Sequence, residues 1–151
     1  MILAIDIGNT NITLGGYTDN KIQFISRMST DSRRTADQYA VEIYDLVRLA
    51  GFSATDTEGC VIASVVPSVG SAISMAVNKL TGLTSIVLGP GVKTGVNIKI
   101  DNPAQLGADL AAGAAGALGK YSMPCIIIDM GTATTLSVMD ESGAFLGGVI
   151  A

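Results

Sequence analysis

The sequence predicts a mixed α/β protein made of one βββαβαβα unit followed by the opening βββ of a second. Three observations carry that prediction. Short β-branched apolar runs alternate with longer stretches in which small apolar residues recur at helical spacing. The 151 residues are 48% hydrophobic and only 15% charged, a balance that suits buried strands beneath small-residue helices. The pattern strand, Asp-x-Gly, polar turn, strand occurs twice, at Asp6–Thr10 and at Asp129–Ala133.

The elements follow in order. Ile2 to Ile7 reads as a buried strand, Asn9-Thr10-Asn11 as a turn and Ile12 to Tyr17 as a second strand. Asp19-Asn20 is a hairpin turn, and Ile22 to Met28 alternates as a third strand. Thr35-Ala36-Asp37-Gln38 has the form of a capping box, with Ala36, Ala40, Ile43, Val47 and Ala50 at helical spacing and Gly51 as the stop. Cys60 to Val66 reads as a buried strand. Pro67-Ser68 opens a second helix with Val69, Ile73, Ala76, Val77 and Leu80 on one face. Ser85 to Leu88 is a short strand, and Val96 to Ile100 is extended. Asn102-Pro103-Ala104-Gln105 reads as a helix start, with Gly107 bending the first turns and Ala108 to Leu118 continuing to Gly119. Pro124 to Asp129, Ala133 to Met139 and Ala144 to Ala151 are the last three strands.

Charge and composition narrow the function. Net charge is −4 and no basic run occurs, which argues against nucleic acid as a partner. A negative protein that binds a polyphosphate must rely on backbone amides, a few Lys side chains and metal ions. Histidine is absent, so histidine triads and imidazole proton shuttles are excluded and a general base is expected to be a carboxylate. Cys60 and Cys125 belong to no CxxC pair and are expected to be reduced, buried thiols. Asp6 interrupts the N-terminal apolar run, which does not fit a signal peptide, and no apolar run approaches the roughly 20 residues of a membrane span. A cytoplasmic protein with no membrane partner is expected.

Three segments carry chemistry. In Asp6-Ile7-Gly8-Asn9-Thr10-Asn11, a glycine lets backbone N–H groups approach a phosphate, and Asp6 at the strand end suits a hydrated Mg²⁺. A plain hairpin turn is the alternative. Asp129-Met130-Gly131-Thr132-Ala133-Thr134-Thr135 repeats the device with three hydroxyls, and two such hairpins can clamp one ATP phosphate chain. In Gly107-Ala108-Asp109, the carboxylate is either a group favoured by the helix dipole or a general base for a substrate hydroxyl. There is no GxxxxGK[ST] and no GxGxxG after a strand, so neither a P-loop nor a dinucleotide site is expected.

Together these segments resemble the type III pantothenate kinases along most of the chain. The matching stretches are DIGNTNITLG near the start, SVVPS at Ser64 to Ser68, GPGVKTG at Gly89 to Gly95, DNPAQLGAD at Asp101 to Asp109, DMGTATT at Asp129 to Thr135 and LGGVI at Leu146 to Ile150. The resemblance implies ATP-dependent phosphorylation of pantothenate, the first step of coenzyme A synthesis. It also implies the actin-like, ribonuclease H-like ATPase fold and a homodimer with substrate near the subunit interface. By the same resemblance Asp6, Ile7, Gly8, Asn9, Thr10, Asn11, Ile12 and Thr13 form the first phosphate loop, and Gly131 and Thr132 belong to the second. Asp109 is the implied proton acceptor, and Asp129 the implied ligand of an activating K⁺ or NH₄⁺. Mg²⁺ accompanies ATP. Ile100, Gly107, Ala108, Asp109 and Leu110 line the implied pantothenate pocket.

Two departures fall on the acceptor side. Leu110 stands where the family has an arginine that meets the pantothenate carboxylate, and Ile100 stands where it often has a tyrosine. Losing a charge-assisted contact of that kind costs roughly 1.5–3 kcal/mol. Lys99 and Lys93 are the cations near enough in sequence to replace it. These departures keep two other readings open: a non-enzymatic regulator resembling the Bvg accessory factor, or a kinase for a different small hydroxyl substrate.

The repeat places the expected domain boundary at 120/121. Residues 1–120 form the lobe with the first phosphate loop and Asp109, and residues 121–151 start a second lobe with the other loop. That second unit has no helices to cover Ile126, Ile128 and Val149. The chain is therefore expected to be the N-terminal portion of a protein about twice its length, inactive by itself.

Overall fold

Alternation of apolar and polar residues sets the first sheet. The computed structural model describes all 151 residues. Strands β1 (Ile2–Ile7), β2 (Asn11–Thr18) and β3 (Lys21–Ser29) form an antiparallel meander. Asp19 and Asn20 turn β2 into β3 with φ of 51° and 58°, the backbone form a two-residue hairpin requires. β4 (Gly59–Ser64) runs parallel to β1, and β5 parallel to β4, giving the order β3-β2-β1-β4-β5. β5 is only Ile86–Val87, shorter than the Ser85–Leu88 strand expected.

Helices α1 (Ala36–Leu49) and α2 (Pro67–Thr81) supply the core of this sheet. The expected capping box opens α1: Thr35 Oγ1 accepts the Gln38 N–H at 3.3 Å, and Gln38 Oε1 accepts the Thr35 N–H at 2.9 Å. Leu3, Ile5, Ile7, Ile12, Leu14 and Ile62 from the strands pack with Tyr39, Ile43, Val47, Val69, Ile73 and Val77 from the helices. Each large side chain buried this way stabilises the fold by about 1.5–3 kcal/mol. Cys60 joins that core, where burial pushes its thiol pKa up; Cys125 is half-buried, and neither is in a disulfide.

A second sheet holds β6 (Cys125–Met130), β7 (Thr134–Met139) and β8 (Phe145–Ile150), all antiparallel. Helix α3 (Ala108–Lys120) packs on one face through Ala114 and Ala117 against Met139 and Phe145. Val96, Ile98, Ile100 and Leu106 surround that cluster. The expected extended segment 96–100 is a single bridge: the Phe145 N–H donates to Asn97 O, and the Lys99 N–H to Phe145 O, both at 2.8 Å. The far face of the sheet is open, with Ile126, Ile128 and Val149 exposed.

The helix expected to begin at Asn102 does not. Pro103–Gln105 is one 3₁₀ turn capped by Asn102; Leu106 and Gly107 are then extended, at ψ 125° and 143°, and α3 begins only at Ala108. Leu106 leaves the helical path to pack in the second core, which outweighs the local helix-start signal. The chain divides into two compact units, Met1–Leu88 and Gly89–Ala151. α3 falls in the second unit by packing, whereas the sequence repeat groups it with the strands before it. No helix is long and apolar enough to cross a membrane.

Candidate active site

In the first unit, parallel β1 and β4 end together, and this is where the Asp6–Thr13 segment turns. Ligands of α/β sheets commonly sit beyond such carboxyl ends. The Val65 N–H donates to Ile7 O at 3.0 Å, tying the Ser64–Ser68 segment to the end of β1. Ser64 Oγ caps its own turn, accepting the Val66 N–H at 3.1 Å and donating to Val66 O at 3.0 Å. Asp6 lies opposite Thr13 on β2 and beside Ala63 on β4, and its side of the strand is exposed. Ile7 and Ile12 are fully buried. These two predicted site residues anchor the loop in the core rather than offering side chains to a ligand.

The turn itself is tight. The Gly8 N–H donates to Asn11 O at 3.0 Å, and a Cβ on Gly8 would stand 3.2 Å from that oxygen. Asn9, Thr10 and Asn11 are exposed. Thr30, at the exit of β3, donates through Oγ1 to Gly8 O at 2.8 Å and through its N–H to Thr10 O at 2.9 Å. The sequence offered no signal for Thr30, because its contact spans 22 residues.

In the second unit, Asp129 lies opposite Thr135. The two hairpins therefore share one device, a strand-end carboxylate facing a threonine across the ladder. They differ in length. Ile7 pairs with Ile12 across four intervening residues, while Met130 pairs with Thr134 across three. The Gly131 N–H donates to Ala133 O at 3.2 Å, and Asp129, Gly131 and Thr132 are exposed.

Asp109 sits in the first turn of α3, half-buried with Gly107, Ala108 and Leu110. Its Oδ1 accepts the Leu110 N–H at 2.8 Å, and Oδ2 has no hydrogen bond within the chain. A Cβ on Gly107 would meet Oδ1 at 2.5 Å, so the glycine keeps open the space that the carboxylate occupies. Ile100 packs on the second core, which accounts for its apolar character without a ligand. Lys99 Nζ donates to Asp140 Oδ2 at 3.1 Å, and that partner leaves Lys93, exposed in the Gly89–Gly95 loop, as the other cation considered for the acceptor carboxylate.

No cluster of three or more His, Cys, Asp or Glu side chains forms a metal cage. Asp6 and Asp129 are single carboxylates beside hydroxyls. That donor set fits an ion bound mainly by phosphate oxygens and water, as Mg²⁺ on a nucleotide is.

The fold is that of the actin-like ATPases. The chain is similar to a candidate 2-dehydro-3-deoxygalactonokinase of Sinorhizobium meliloti (TM-score 0.52, 10% identity, 99% of this chain and 53% of that one). It is also similar to the ethanolamine utilization protein EutJ of Carboxydothermus hydrogenoformans (TM-score 0.52, 14% identity, 99% and 50%). A reductive activator for a corrinoid, iron-sulfur protein matches at TM-score 0.55 and 12% identity over 98% of this chain and 30% of that one. The chain thus spans between about a third and a half of these relatives. Within that fold class, the chain belongs to the type III pantothenate kinase family, whose model matches residues 2–151.

Proposed function

We propose that the protein transfers the γ-phosphoryl group of ATP to the primary hydroxyl of pantothenate, giving 4′-phosphopantothenate, the first step of coenzyme A synthesis. Family membership supports the reaction class, and the observation that carries the chemistry is the doubled hairpin, with Asp6 opposite Thr13 and Asp129 opposite Thr135. In this reading the Gly8 turn and the Gly131 turn each present backbone amides to phosphate. Mg²⁺, held by the phosphates and Asp6, supplies charge neutralisation when bound. Asp129 is the proposed ligand of K⁺ or NH₄⁺. Asp109 takes the hydroxyl proton through Oδ2 as the oxygen attacks phosphorus, and the bond from the γ-phosphorus to its bridging oxygen breaks to release ADP. Gly107, Ala108 and Leu110 flank that carboxylate. A cytoplasmic homodimer with substrate near the subunit interface belongs to the same proposal.

The test is ATP consumption by the protein with pantothenate, with the phosphorylated product read by ³¹P NMR. Asp109→Asn is expected to lower kcat by about a hundredfold or more. Full turnover in that variant would remove Asp109 from the mechanism. A second reading, a regulator or a kinase for another hydroxyl, is favoured by Leu110, which brings no charge to the acceptor side. Binding of MgATP without turnover of pantothenate would select it.

A further inference from the structure

We propose that Thr30 is a positioning residue that holds the Gly8–Asn11 turn in its phosphate-binding form, an inference that rests on the phosphate-loop reading of Asp6–Thr13. Thr30 satisfies two carbonyls of that turn at once, Gly8 O through its hydroxyl at 2.8 Å and Thr10 O through its N–H at 2.9 Å. A trans peptide directs its N–H opposite its C=O. The Gly8–Asn9 peptide is trans, so fixing Gly8 O toward Thr30 aims the Asn9 N–H to the other side of the turn.

Thr30 is itself fixed from the core. The next residue, Asp31, exchanges two hydrogen bonds with the Tyr39 phenol: the Asp31 N–H donates to Oη at 3.0 Å, and Oη donates to Asp31 O at 2.9 Å. Tyr39 is fully buried on α1. A continuous path therefore runs from a core side chain through the Thr30–Asp31 backbone to the turn. The cations beside this path are already paired. Arg33 chelates the Asp31 carboxylate through Nε and Nη2 at 3.0 and 2.9 Å, and Arg34 is bound to Glu42. Orientation of the turn, rather than added charge, is what this loop contributes.

The test compares Thr30→Val, Thr30→Ser and Tyr39→Phe by steady-state kinetics. Valine keeps the branched shape and removes the donor. Thr30→Val is expected to raise KM for MgATP about five- to tenfold, with kcat changed less than about twofold. Thr30→Ser is expected to restore the parent KM, and Tyr39→Phe to raise KM in the same direction by less. A purely structural role would lower the folded fraction, and hence apparent kcat, without moving KM. Parent-like KM in both Thr30→Val and Tyr39→Phe, in a protein that turns over ATP, overturns the role of Thr30 alone. If the parent neither binds MgATP nor consumes it, the phosphate-loop reading fails and this inference falls with it.

Discussion

Gly8 and Gly131 occupy matching places in two hairpins yet meet different surroundings. A methyl on Gly8 would crowd Asn11 O at 3.2 Å, whereas one on Gly131 would sit at an ordinary 3.7 Å from Ala133 O. Neither residue is in the left-handed region. Gly131→Ala is therefore expected to unfold at the parent temperature; under the proposed phosphate-loop reading it also raises KM for MgATP about tenfold, because the methyl would stand in the path of a phosphate oxygen. Thermal denaturation and steady-state kinetics on the same sample separate the two effects. Unchanged KM would show that no phosphate approaches that turn. The aspartates and glycines of both turns were legible in the sequence because a repeated local pattern marks them. Thr30 was not, since its hydrogen bond to Gly8 O depends on where β3 ends in space. Ile100 was legible as a departure but not as a core residue, because nothing local shows that the 96–100 segment lies against Phe145.

At the scale of elements, the β7–β8 connection is the clearest electrostatic fixture. The Asp140 carboxylate is held well below its ordinary value of 3.8, first by the Ser142 hydroxyl, then by the Ala144 N–H and by Lys99 Nζ. A depressed carboxylate adds stability above its unfolded-state pKa, and that contribution is lost as pH falls toward the folded-state value. Asp140→Ala should thus unfold at lower temperature than the parent at pH 7, with the gap narrowing progressively below about pH 3.8. A gap of constant size from pH 7 to pH 2 would contradict this. The same contacts explain why Lys99, though close to the acceptor-side motif in sequence, is committed to the turn. Elements with complete local signals were read correctly: the Thr35 box opens α1, and Asp19-Asn20 turns the hairpin. Asn102-Pro103 also carries a complete signal, and one turn does form there. It stops because Leu106 buries in the second core, a demand no local pattern expresses.

At the scale of the whole chain, the strand and helix order was legible because the hydrophobic period changes cleanly between elements. The parallel pairing of β1 with β4 was not read in advance, because the α1 crossover leaves from β3 and nothing local shows which strand β4 will join. The packing boundary at 88/89 was not legible, since it depends on α3 choosing the β6–β8 sheet, and Ala and Gly carry little directional information. The proposed activity makes one demand on both units: each Asp-x-Gly turn must respond to nucleotide. Amide hydrogen exchange at Asn9 and Thr132, measured across a titration with a non-hydrolysable MgATP analogue, tests that demand directly. Both amides should slow together and saturate with one shared Kd. Protection of one turn alone, or two different Kd values, would contradict the account.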